Sequence, residues 1–437
     1  MSRLEELRQK IESREARIGV IGLGYVGLPL AVEFAKAGFD VTGFDVDADK
    51  IRALKDGRSY IEDVPESDIA EVRSKGRFGA TTDFAALPRL DVINICVPTP
   101  LTRQKDPDVS HMAAAIEEIR KRLRVGQLVI LGSTTYPGTT HELFVSALED
   151  TGLRVGEDFS LCFAPERIDP GNDRFTVREV PKVVGGETPL CTDLAKSVFE
   201  TIFDSVVPVS STQCAEMVKL LENTFRAINI GLANEVALMC ERLGLDVWEV
   251  IEAAATKPYG FMKFVPGPGL GGHCIPVDPS YLSWKMKSLN FSARFIELAT
   301  EINSSMPEHV VDRVGDLLNE RRLAVNGSKL LILGVAYKRD VGDMRESPAL
   351  DVVAHLARRG AEIHYHDPHV REFEVDGHAY KGEELSDAAL EGADLVVILT
   401  DHSGIDYDHV VDLAPHVFDT RNATREVTVG GDKITKL

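Results

Sequence analysis

The chain has 437 residues, which is too long for one ordinary hydrophobic core, so two or three domains are expected. Apolar residues make up 44% and charged residues 27% of it, as in soluble globular proteins, and the net charge of −20 argues against nucleic acid as a partner. There is no run of about 18 apolar residues to predict a membrane span, and the charged residues 1–17 predict a helix rather than a signal peptide.

The cysteines are scattered along the chain without paired spacing. Such usage favours reduced thiols and a cytoplasmic location. The cysteines are Cys96, Cys162, Cys191, Cys214, Cys240 and Cys274.

A dinucleotide-binding pattern begins near the N-terminus. An apolar strand at 17–21 runs directly into GLGYVG, the following helical segment stops at Gly38, and a second apolar run is followed by Asp45. The glycines allow a tight turn before a helix whose N-terminus faces a pyrophosphate, and the aspartate accepts from the ribose hydroxyls. Because a carboxylate here repels a 2′-phosphate, NAD is the predicted cofactor. The predicted contacts are Gly22, Gly24, Tyr25, Val26, Gly27 and Asp45.

Three further predicted strands each end next to polar or proline-rich residues. In open parallel sheets ligands bind beyond the carboxyl ends of the strands, so Thr99, Thr134 and Glu166 are expected to face the nicotinamide half of the cofactor. Helix capping is the alternative role for such residues. The strands lie at 92–97, 128–131 and 161–163.

Residues 210–243 form one long helical pattern with almost no helix breakers, and a second helix is expected at 246–255. Apolar residues occupy several faces of the long helix, which predicts a domain junction and a dimer contact. One stripe of it is polar, and because an unpaired buried charge is costly, this stripe requires a partner. The stripe consists of Glu216, Lys219, Asn223 and Arg226.

Cys274 lies in the glycine- and proline-rich segment GGHCIPVDP at 271–279. A thiol holds an aldehyde as a thiohemiacetal, which loses a second hydride and leaves a thioester. This position therefore indicates an enzyme that oxidises an alcohol all the way to a carboxylate, since a single hydride transfer needs no thiol. The alternative is a small buried apolar residue, as most free cysteines are.

The last third of the chain predicts a second doubly wound unit, which begins after a break at 321–328. Its first turn lacks GxGxxG, so it is expected to bind something other than a second dinucleotide. His364, His366 and His369 lie beside Asp367, but a strand leading into an Asp-Pro turn explains them, and no metal site is predicted. The unit's predicted strands are 329–335, 361–366, 395–400 and 416–418, with a helix at 347–360.

With these segments assembled, the chain resembles the UDP-glucose/GDP-mannose dehydrogenase family over nearly its full length. The resemblance implies a four-electron oxidation of the C6 alcohol of a nucleotide sugar to a uronate, with two NAD and one water. It rests on seven ordered motifs: GLGYVGLP at 22–29, CVPTP at 96–100, STTYPGTT at 133–140, APER at 164–167, AEMVKLLENTFRAINIGLANE at 215–235, GPGLGGHCIPVDP at 267–279 and GVAYKRDVGDMRESPAL at 334–350.

The resemblance also implies the domain arrangement. The expected fold class is α/β, with two Rossmann-like doubly wound domains joined by a long central helix and a helical domain. The expected domains are an NAD-binding domain at 1–205, a central helical and dimerisation domain carrying the cysteine loop at 206–320, and a UDP-sugar-binding domain at 321–437.

Catalytic roles follow from the resemblance, residue by residue. Cys274 is the implied nucleophile, Lys219 the residue that stabilises or exchanges a proton with the C6 oxygen, and Asn223 its hydrogen-bonding companion. Glu166 is implied to assist thioester hydrolysis. A cationic lysine near the cysteine favours the thiolate and stabilises charge that develops at C6.

Further residues are implied to organise water or to bind ligands. The water-organising pair is Thr134 and Asp278. The implied NAD contacts are Asp45, Lys50, Thr99, Thr134 and Arg345. The implied contacts to the nucleotide sugar are Glu166, Arg167, Ile168, Lys219, Asn223, Arg226, Lys263, Phe264, Gly271 and Lys338.

Two segments depart from UDP-glucose-type members of the family, which typically read PEFLREG after the third motif and carry a lysine shortly after the cysteine. Here residues 165–171 read PERIDPG, and Val277 replaces that lysine. Together with TKPYGFMKF at 256–264, these features resemble the branch that acts on UDP-N-acetylhexosamines, and UDP-N-acetylglucosamine is the expected substrate. UDP-glucose, UDP-N-acetylgalactosamine and UDP-N-acetylmannosamine are the alternatives.

Two other classes of protein share parts of this pattern. A two-electron β-hydroxyacid dehydrogenase has a Rossmann-plus-helical layout but needs neither Cys274 nor a third domain. A non-catalytic nucleotide-binding protein would keep the glycine-rich turn without Lys219, Asn223 and Cys274. The expected partners are a UDP-sugar and further copies of the chain, in a homodimer or a higher homo-oligomer, with neither nucleic acid nor membrane.

Overall fold

The computed structural model describes residues 3–61, 63–102, 106–167, 175–272 and 274–437. Ile168, an expected substrate contact, lies outside these residues. The chain divides into two compact units, of which the first comprises Met1–Glu222 and Ser280–Phe291 and the second Asn223–Pro279 and Ser292–Leu437. Within the described ranges, no helix is both long enough and apolar enough to cross a membrane. The three-domain division at residues 205 and 320 stays a prediction.

The first unit is built on an eight-stranded sheet. Its strands are β1 (Arg17–Ile21), β2 (Asp40–Phe44), β3 (Phe78–Thr81), β4 (Val92–Ile95), β5 (Leu128–Leu131), β6 (Ser160–Phe163), β7 (Lys182–Gly186) and β8 (Val206–Val209). Their order is β3-β2-β1-β4-β5-β6-β7-β8, and neighbouring strands are parallel except β6 and β7. The chain order changes direction between β1 and β4, which is where open α/β sheets bind ligands.

The second unit contains a five-stranded parallel sheet and a separate antiparallel pair. The strands are β9 (Lys329–Leu333), β10 (Glu362–His366), β11 (Glu372–Val375), β12 (His378–Lys381), β13 (Leu395–Ile398), β14 (Val417–Asp419) and β15 (Ile434–Lys436). The larger sheet has the order β10-β9-β13-β14-β15, and β11 pairs with β12. This unit therefore contains a second doubly wound arrangement.

Helices surround both sheets. In chain order they are α1 (Arg3–Glu12), α2 (Gly27–Lys36), α3 (Ala48–Lys55), α4 (Glu66–Ser74), α5 (Ser110–Arg120), α6 (Ser146–Glu149), α7 (Pro189–Phe199), α8 (Thr212–Leu243), α9 (Val247–Ala255), α10 (Asp278–Ser288), α11 (Arg294–Glu320), α12 (Pro348–Arg358), α13 (Asp387–Gly392) and α14 (Tyr407–Leu413). A π-helix at Thr140–Val145 precedes α6, and 3₁₀ helices lie at Phe84–Arg89 and Gly431–Lys433. The 32-residue helix α8 contributes residues to both units.

Both faces of each main sheet are buried. In the first unit Leu128 and Ile130 of β5 belong to one apolar cluster, whereas Val129 and Leu131 belong to the cluster on the other face. In the second unit, successive residues of β9 likewise belong in turn to two clusters on opposite faces of the sheet. Covering both faces is what parallel sheets require, and it explains the continuous apolar runs from which these strands were predicted.

The predicted elements are present, with small shifts at their ends, and the predicted α/β fold class is confirmed. The predicted strand at 92–97 ends at Ile95, and the helix predicted for 210–243 is α8. Asp246 is the N-cap of α9, where its side chain accepts hydrogen bonds from the backbone of Trp248 and Glu249. Such caps fix where a helix starts, and for this reason the boundaries lie close to those read from the sequence.

Candidate active site

The glycine-rich turn connects β1 to α2. Gly22 has a φ of +89°, and a Cβ on Gly27, the first residue of α2, would lie 1.8 Å from the carbonyl oxygen of Gly22. Only glycine permits this approach of the helix to the turn. Tyr25 is exposed and Gly24 has open space around its Cα, so a ligand can approach the backbone there. Val26 is the N-cap of α2.

Asp45 lies at the end of β2 and is 7% exposed. Its carboxylate accepts hydrogen bonds from the backbone N–H groups of Leu23 at 2.9 Å and Asp47 at 3.0 Å, and it lies 3.4 Å from Nζ of Lys50. The predicted ribose acceptor is thus joined directly to the predicted pyrophosphate turn. Lys50 therefore lies beside Asp45, and its role as an NAD contact stays a prediction.

Thr99 and Thr134 follow the neighbouring strands β4 and β5. Thr99 is buried, and its carbonyl oxygen accepts a hydrogen bond from the Tyr281 hydroxyl at 2.9 Å. Ser133, directly before Thr134, donates to the carbonyl oxygen of Val97 at 2.8 Å. The bond from Ser133 holds the two threonine-bearing segments together at the carboxyl edge of the sheet, and the bond from Tyr281 ties the Thr99 segment to α10.

Glu166 follows β6 and pairs with a lysine that sequence reasoning missed. Nζ of Lys182 lies 3.1 Å from its carboxylate, and the Lys182 side chain is only 2% exposed. Nζ of Lys182 also lies 5.1 Å from the ring centre of Phe199 and 5.3 Å from that of Phe203. A buried ammonium needs such partners, so Lys182 fixes the Glu166 carboxylate and holds it near a positive charge.

Arg167 is engaged within the first unit. Its guanidinium forms a two-pronged ion pair with Glu222 of α8, with distances of 2.6 and 3.3 Å, and donates to the carbonyl oxygen of Pro181 at 2.5 Å. This geometry ties the APER segment to the helix that carries Lys219. The role of Arg167 as a substrate contact stays a prediction.

Cys274 is exposed, unlike most of the other cysteines. Its carbonyl oxygen accepts hydrogen bonds from the backbone N–H groups of Val277 at 3.1 Å and Asp278 at 2.8 Å, which form a turn directly before α10. The Asp278 carboxylate accepts a hydrogen bond from Nδ2 of Asn223. Of the predicted catalytic residues in the second unit, the structure therefore brings Asn223, Cys274 and Asp278 together.

The remaining predicted catalytic residues, Thr134, Glu166 and Lys219, belong to the first unit. Lys219 is buried on α8, one helical turn before Asn223.

Cys96, which also belongs to the first unit, is buried beneath Gly132, and burial raises the pKa of its thiol to about 12. A thiol with this pKa stays protonated near neutral pH, so Cys96 is not a candidate nucleophile although it lies close to the glycine-rich turn.

The cysteine segment packs against the 334–350 motif within the second unit. A Cβ on Gly271 would lie 2.8 Å from both the carbonyl oxygen of Glu346 and Cβ of Tyr337, so no larger residue fits. Upstream, Asn234 of α8 accepts from the backbone of Gly267 at 2.9 Å and donates to Asn303 of α11 at 2.8 Å. Two buried amides therefore fix the start of the segment that carries Cys274.

The other predicted ligand contacts of the second unit are found on its surface and around α8. Lys263 forms an ion pair with Glu252, and Phe264 packs edge-to-face on Phe225 at 5.8 Å. Arg345 is bound to Asp343 at 2.6 Å. Arg226 is exposed and Lys338 half-buried. Arg345, an expected NAD contact, belongs to a different unit from the glycine-rich turn, and its role stays a prediction.

Asp367 in the second unit occupies the place that Asp45 has in the first. It follows the second strand of its sheet in chain order and accepts hydrogen bonds from the backbone of Val335 at 2.8 Å and Ala336 at 3.2 Å, in the turn after β9. It also lies 3.1 Å from Nε2 of the buried His402. Burial raises the pKa of Asp367, but His402 and these backbone donors outweigh burial and hold that pKa below its ordinary value.

Asp340, His369 and His402 are the one group in the described parts of the chain whose potential metal-ligand atoms lie within 4.8 Å of one another. Nδ1 of His402, however, already accepts a hydrogen bond from the backbone N–H of Asp340 at 3.0 Å, and its Nε2 contacts Asp367. Both ring nitrogens of His402 are therefore already engaged in contacts within the protein. His364 and His366 contact the side chain and backbone of Glu383, both at 2.8 Å.

Models of three domains of one family match the chain in order. They are the NAD binding domain of the UDP-glucose/GDP-mannose dehydrogenase family at residues 16–203, its central domain at 213–305 and its UDP binding domain at 331–426. These spans coincide with the glycine-rich turn, the α8 and cysteine segment, and the second doubly wound sheet.

Individual relatives agree with this match. The chain is 38% identical over 359 residues to UDP-N-acetyl-D-glucosamine 6-dehydrogenase of Pseudomonas aeruginosa, which covers 82% of this chain and 84% of that protein. It is 36% identical over 421 residues to UDP-N-acetyl-D-mannosamine dehydrogenase of Pyrococcus horikoshii, over 95% and 97% of the two chains. A solved structure of the Pyrococcus horikoshii UDP-D-ManNAc dehydrogenase matches with a TM-score of 0.87 at 34% identity. The match covers 96% of this chain and 98% of that chain.

The turn at Gly22–Gly27 and the Asp45 carboxylate fit a bound dinucleotide, because the backbone is open to a ligand at Gly24 and the predicted acceptor for the ribose is fixed by two backbone donors. The order of the three matched domains agrees with this geometry. The chain therefore belongs to the UDP-glucose/GDP-mannose dehydrogenase family and is an NAD-dependent oxidoreductase.

Proposed function

We propose that the protein oxidises the C6 alcohol of UDP-N-acetylglucosamine to the uronate in two two-electron steps. One alcohol, one water and two NAD yield one carboxylate, two NADH and three protons. Bound NAD supplies the chemistry of a hydride acceptor in each step. The observation that carries the proposal is the exposed thiol of Cys274 within a chain that matches all three domains of the family.

In this proposal Lys219 stabilises the negative charge that develops on the C6 oxygen as the alcohol loses its proton and first hydride. The thiolate of Cys274 then adds to the aldehyde carbon, and the resulting thiohemiacetal oxygen is held by the same lysine and by Asn223. Loss of the second hydride leaves a thioester on Cys274. Thr134 and Asp278 orient a water, Glu166 accepts its proton, and hydrolysis releases the uronate and restores the thiol.

Measuring NADH per substrate tests this reaction class. Wild-type protein with limiting UDP-sugar and excess NAD is expected to release two NADH per sugar, measured by absorbance at about 340 nm against product by mass spectrometry. A yield of one would indicate a two-electron hydroxyacid-type dehydrogenase, and a yield of zero a nucleotide-binding protein without activity. Either result would overturn the proposal.

The sugar should be discriminated at its C2 substituent. We expect kcat/KM for UDP-N-acetylglucosamine to exceed that for UDP-glucose by roughly tenfold or more, because a site with a donor for the acetyl carbonyl leaves this donor unpaired when the sugar has only a hydroxyl. Both relatives described above are named for N-acetylated sugars. Arg167 and Arg226 are the two candidate donors, and the guanidinium of Arg167 also forms an ion pair with Glu222.

A panel that also contains UDP-N-acetylmannosamine, UDP-N-acetylgalactosamine and UDP-glucose separates the alternatives under one set of conditions. Equal or better kcat/KM for UDP-glucose would mean that C2 is not recognised. A clear preference for the manno or galacto sugar would keep the N-acetyl site but move the assignment to a neighbouring substrate.

We also propose that the enzyme works in the cytoplasm as a homodimer joined through α8. Large apolar side chains recur along this helix at spacings of four and seven residues, which puts them on one exposed face. They are Met217, Leu221, Phe225, Leu232, Met239 and Leu243.

Light scattering of the purified protein is expected to give twice the mass of one 48.0 kDa chain at micromolar concentrations. Substituting Leu232→Glu together with Met239→Glu should shift the mass toward the monomer, because charged residues would be buried without partners in the contact. A monomer mass for the wild type that does not change with concentration would rule out this interface.

A further inference from the structure

Glu216 is the one residue of the polar stripe on α8 to which the proposed reaction gives no role. Its side chain is 0% exposed, although a carboxylate is among the side chains that are most costly to bury. Burial raises the pKa of Glu216 to about 7, with a further contribution from the nearby Glu187. A buried carboxylate whose surroundings oppose its charge is an unusual choice for a side chain that only joins a helix to a neighbouring segment.

The partners of Glu216 all lie in one loop. Its Oε2 accepts the backbone N–H of Gly138 at 2.5 Å, and its Oε1 accepts the backbone N–H of Thr140 at 2.8 Å and the Thr140 hydroxyl at 2.6 Å. Three donors converge on the two oxygens, and these hydrogen bonds favour the ionised carboxylate against the burial that raises its pKa.

This loop is the STTYPGTT segment that begins after β5 and ends in the π-helix. Thr134 lies near its start, and the buried hydroxyls of Thr135 and Thr139 are bonded to each other at 2.7 Å, which makes the loop compact. Lys219 follows Glu216 by three residues on α8, within the same unit. One carboxylate therefore connects the segment that carries Thr134 to the helix that carries Lys219.

We propose that Glu216 is a positioning residue that holds the Thr134 loop at a fixed position relative to Lys219, so that water is correctly oriented for hydrolysis of the thioester. This inference rests on the proposed function. Lys219 is part of α8 itself and is expected to keep its place without Glu216, whereas the loop would lose three hydrogen bonds that fix it to α8. The step that uses Thr134 is therefore the step that should suffer.

Glu216→Gln is the direct test, in the full-length enzyme with its proposed UDP-sugar. The amide oxygen retains the two bonds from Thr140, but its NH₂ group meets the Gly138 N–H, which is also a donor. We expect thioester hydrolysis to slow by on the order of 100-fold, the size of effect that a displaced positioning group produces.

Steady-state and rapid-mixing kinetics distinguish this role from a structural one. Because both hydrides leave before hydrolysis, the variant should release a burst of two NADH per active site and then turn over slowly. Its kcat and its KM for the sugar should fall together, so that kcat/KM stays close to the wild-type value. Intact-protein mass spectrometry should show the glycuronyl adduct accumulating on Cys274.

Glu142→Gln is the matched control. This carboxylate lies in the π-helix at the end of the same loop, but it is exposed and pairs with Lys285. The control should retain wild-type kinetics and accumulate no adduct.

Thr140→Val supplies a milder variant, since it removes only the hydroxyl donor and keeps the shape of the side chain. It carries the test if Glu216→Gln does not fold, and a smaller accumulation of adduct is then expected. Unchanged kcat in a folded variant, or a fall in kcat with unchanged KM and no burst, would overturn the positioning role. If the wild type itself releases no NADH with any UDP-sugar, the proposed function fails, and this inference fails with it.

Discussion

Cys274→Ser is expected to abolish formation of the uronate, with kcat reduced by on the order of 1000-fold or more, as when other enzymes lose their nucleophile. A serine hydroxyl is not ionised near neutral pH, and an ester formed on it hydrolyses far more slowly than a thioester. Some alcohol oxidation should remain, because Lys219 and the cofactor site are untouched. Product analysis by mass spectrometry, together with NADH release, measures both halves of the reaction.

Cys214→Ser is a suitable control for this substitution. Cys214 is half-buried on α8 and has no part in the proposed chemistry, so its serine variant should oxidise UDP-sugar at the wild-type rate. Near-normal steady-state uronate production by Cys274→Ser would show that the exposed thiol is not the nucleophile. A Cys274→Ser protein that fails to bind NAD would point to misfolding instead, and thermal denaturation of both variants detects that case.

The parts of the fold that follow from local sequence rules were predictable. The strand, glycine turn, helix and second strand that end in Asp45 are fixed by short-range signals: apolar runs, a turn that only glycine allows, and an acidic residue at a set spacing. The same holds for α8, whose length follows from the scarcity of helix breakers between Thr212 and Leu243. Such elements agree with the structure because local preference and tertiary packing favour the same conformation.

Elements whose stability depends on distant partners were missed. Helix α11 continues through Pro307, a residue that normally ends or bends a helix, and its apolar residues are buried over much of its length. The antiparallel pairing of β7 with β6 was likewise not predicted. Sheet pairing depends on contacts across the fold, and the sequence of one strand does not specify its neighbour.

The candidate site shows the same division. Cys274 and Asp45 were singled out by residue type and spacing, and the role of Lys219 was implied by the family resemblance. The partners of Glu166 and Arg167 were not predicted. Lys182 is 16 residues from the Glu166 that it contacts, and Glu222 is 55 residues from Arg167. Ion pairs of this kind have no periodicity in the sequence, so a charged residue in an ordinary strand or helix gives no sign of its partner.

Asp45→Ala should weaken NAD binding strongly and relax the discrimination against NADP. Each lost charge-assisted hydrogen bond to the ribose is worth about 1.5–3 kcal/mol, so the KM for NAD should rise by on the order of 10- to 100-fold. The structure adds a second reason. The same carboxylate accepts hydrogen bonds from the backbone N–H groups of Leu23 and Asp47, and its removal would leave both donors without this acceptor. Initial rates with NAD and NADP at saturating UDP-sugar give both constants.

Asp47→Ala separates these two causes. Asp47 is exposed and caps α3 by accepting from the backbone of Asp49 at 2.8 Å and Lys50 at 3.4 Å, so its loss costs backbone hydrogen bonds without removing the ribose acceptor. It should lower the melting temperature slightly while the ratio of kcat/KM for NAD to that for NADP stays at the wild-type value. In Asp45→Ala this ratio should fall, because the negative charge that repels the 2′-phosphate is gone. An unchanged ratio in Asp45→Ala would contradict the assignment of Asp45 to the ribose, since a loosened turn alone would weaken both cofactors equally.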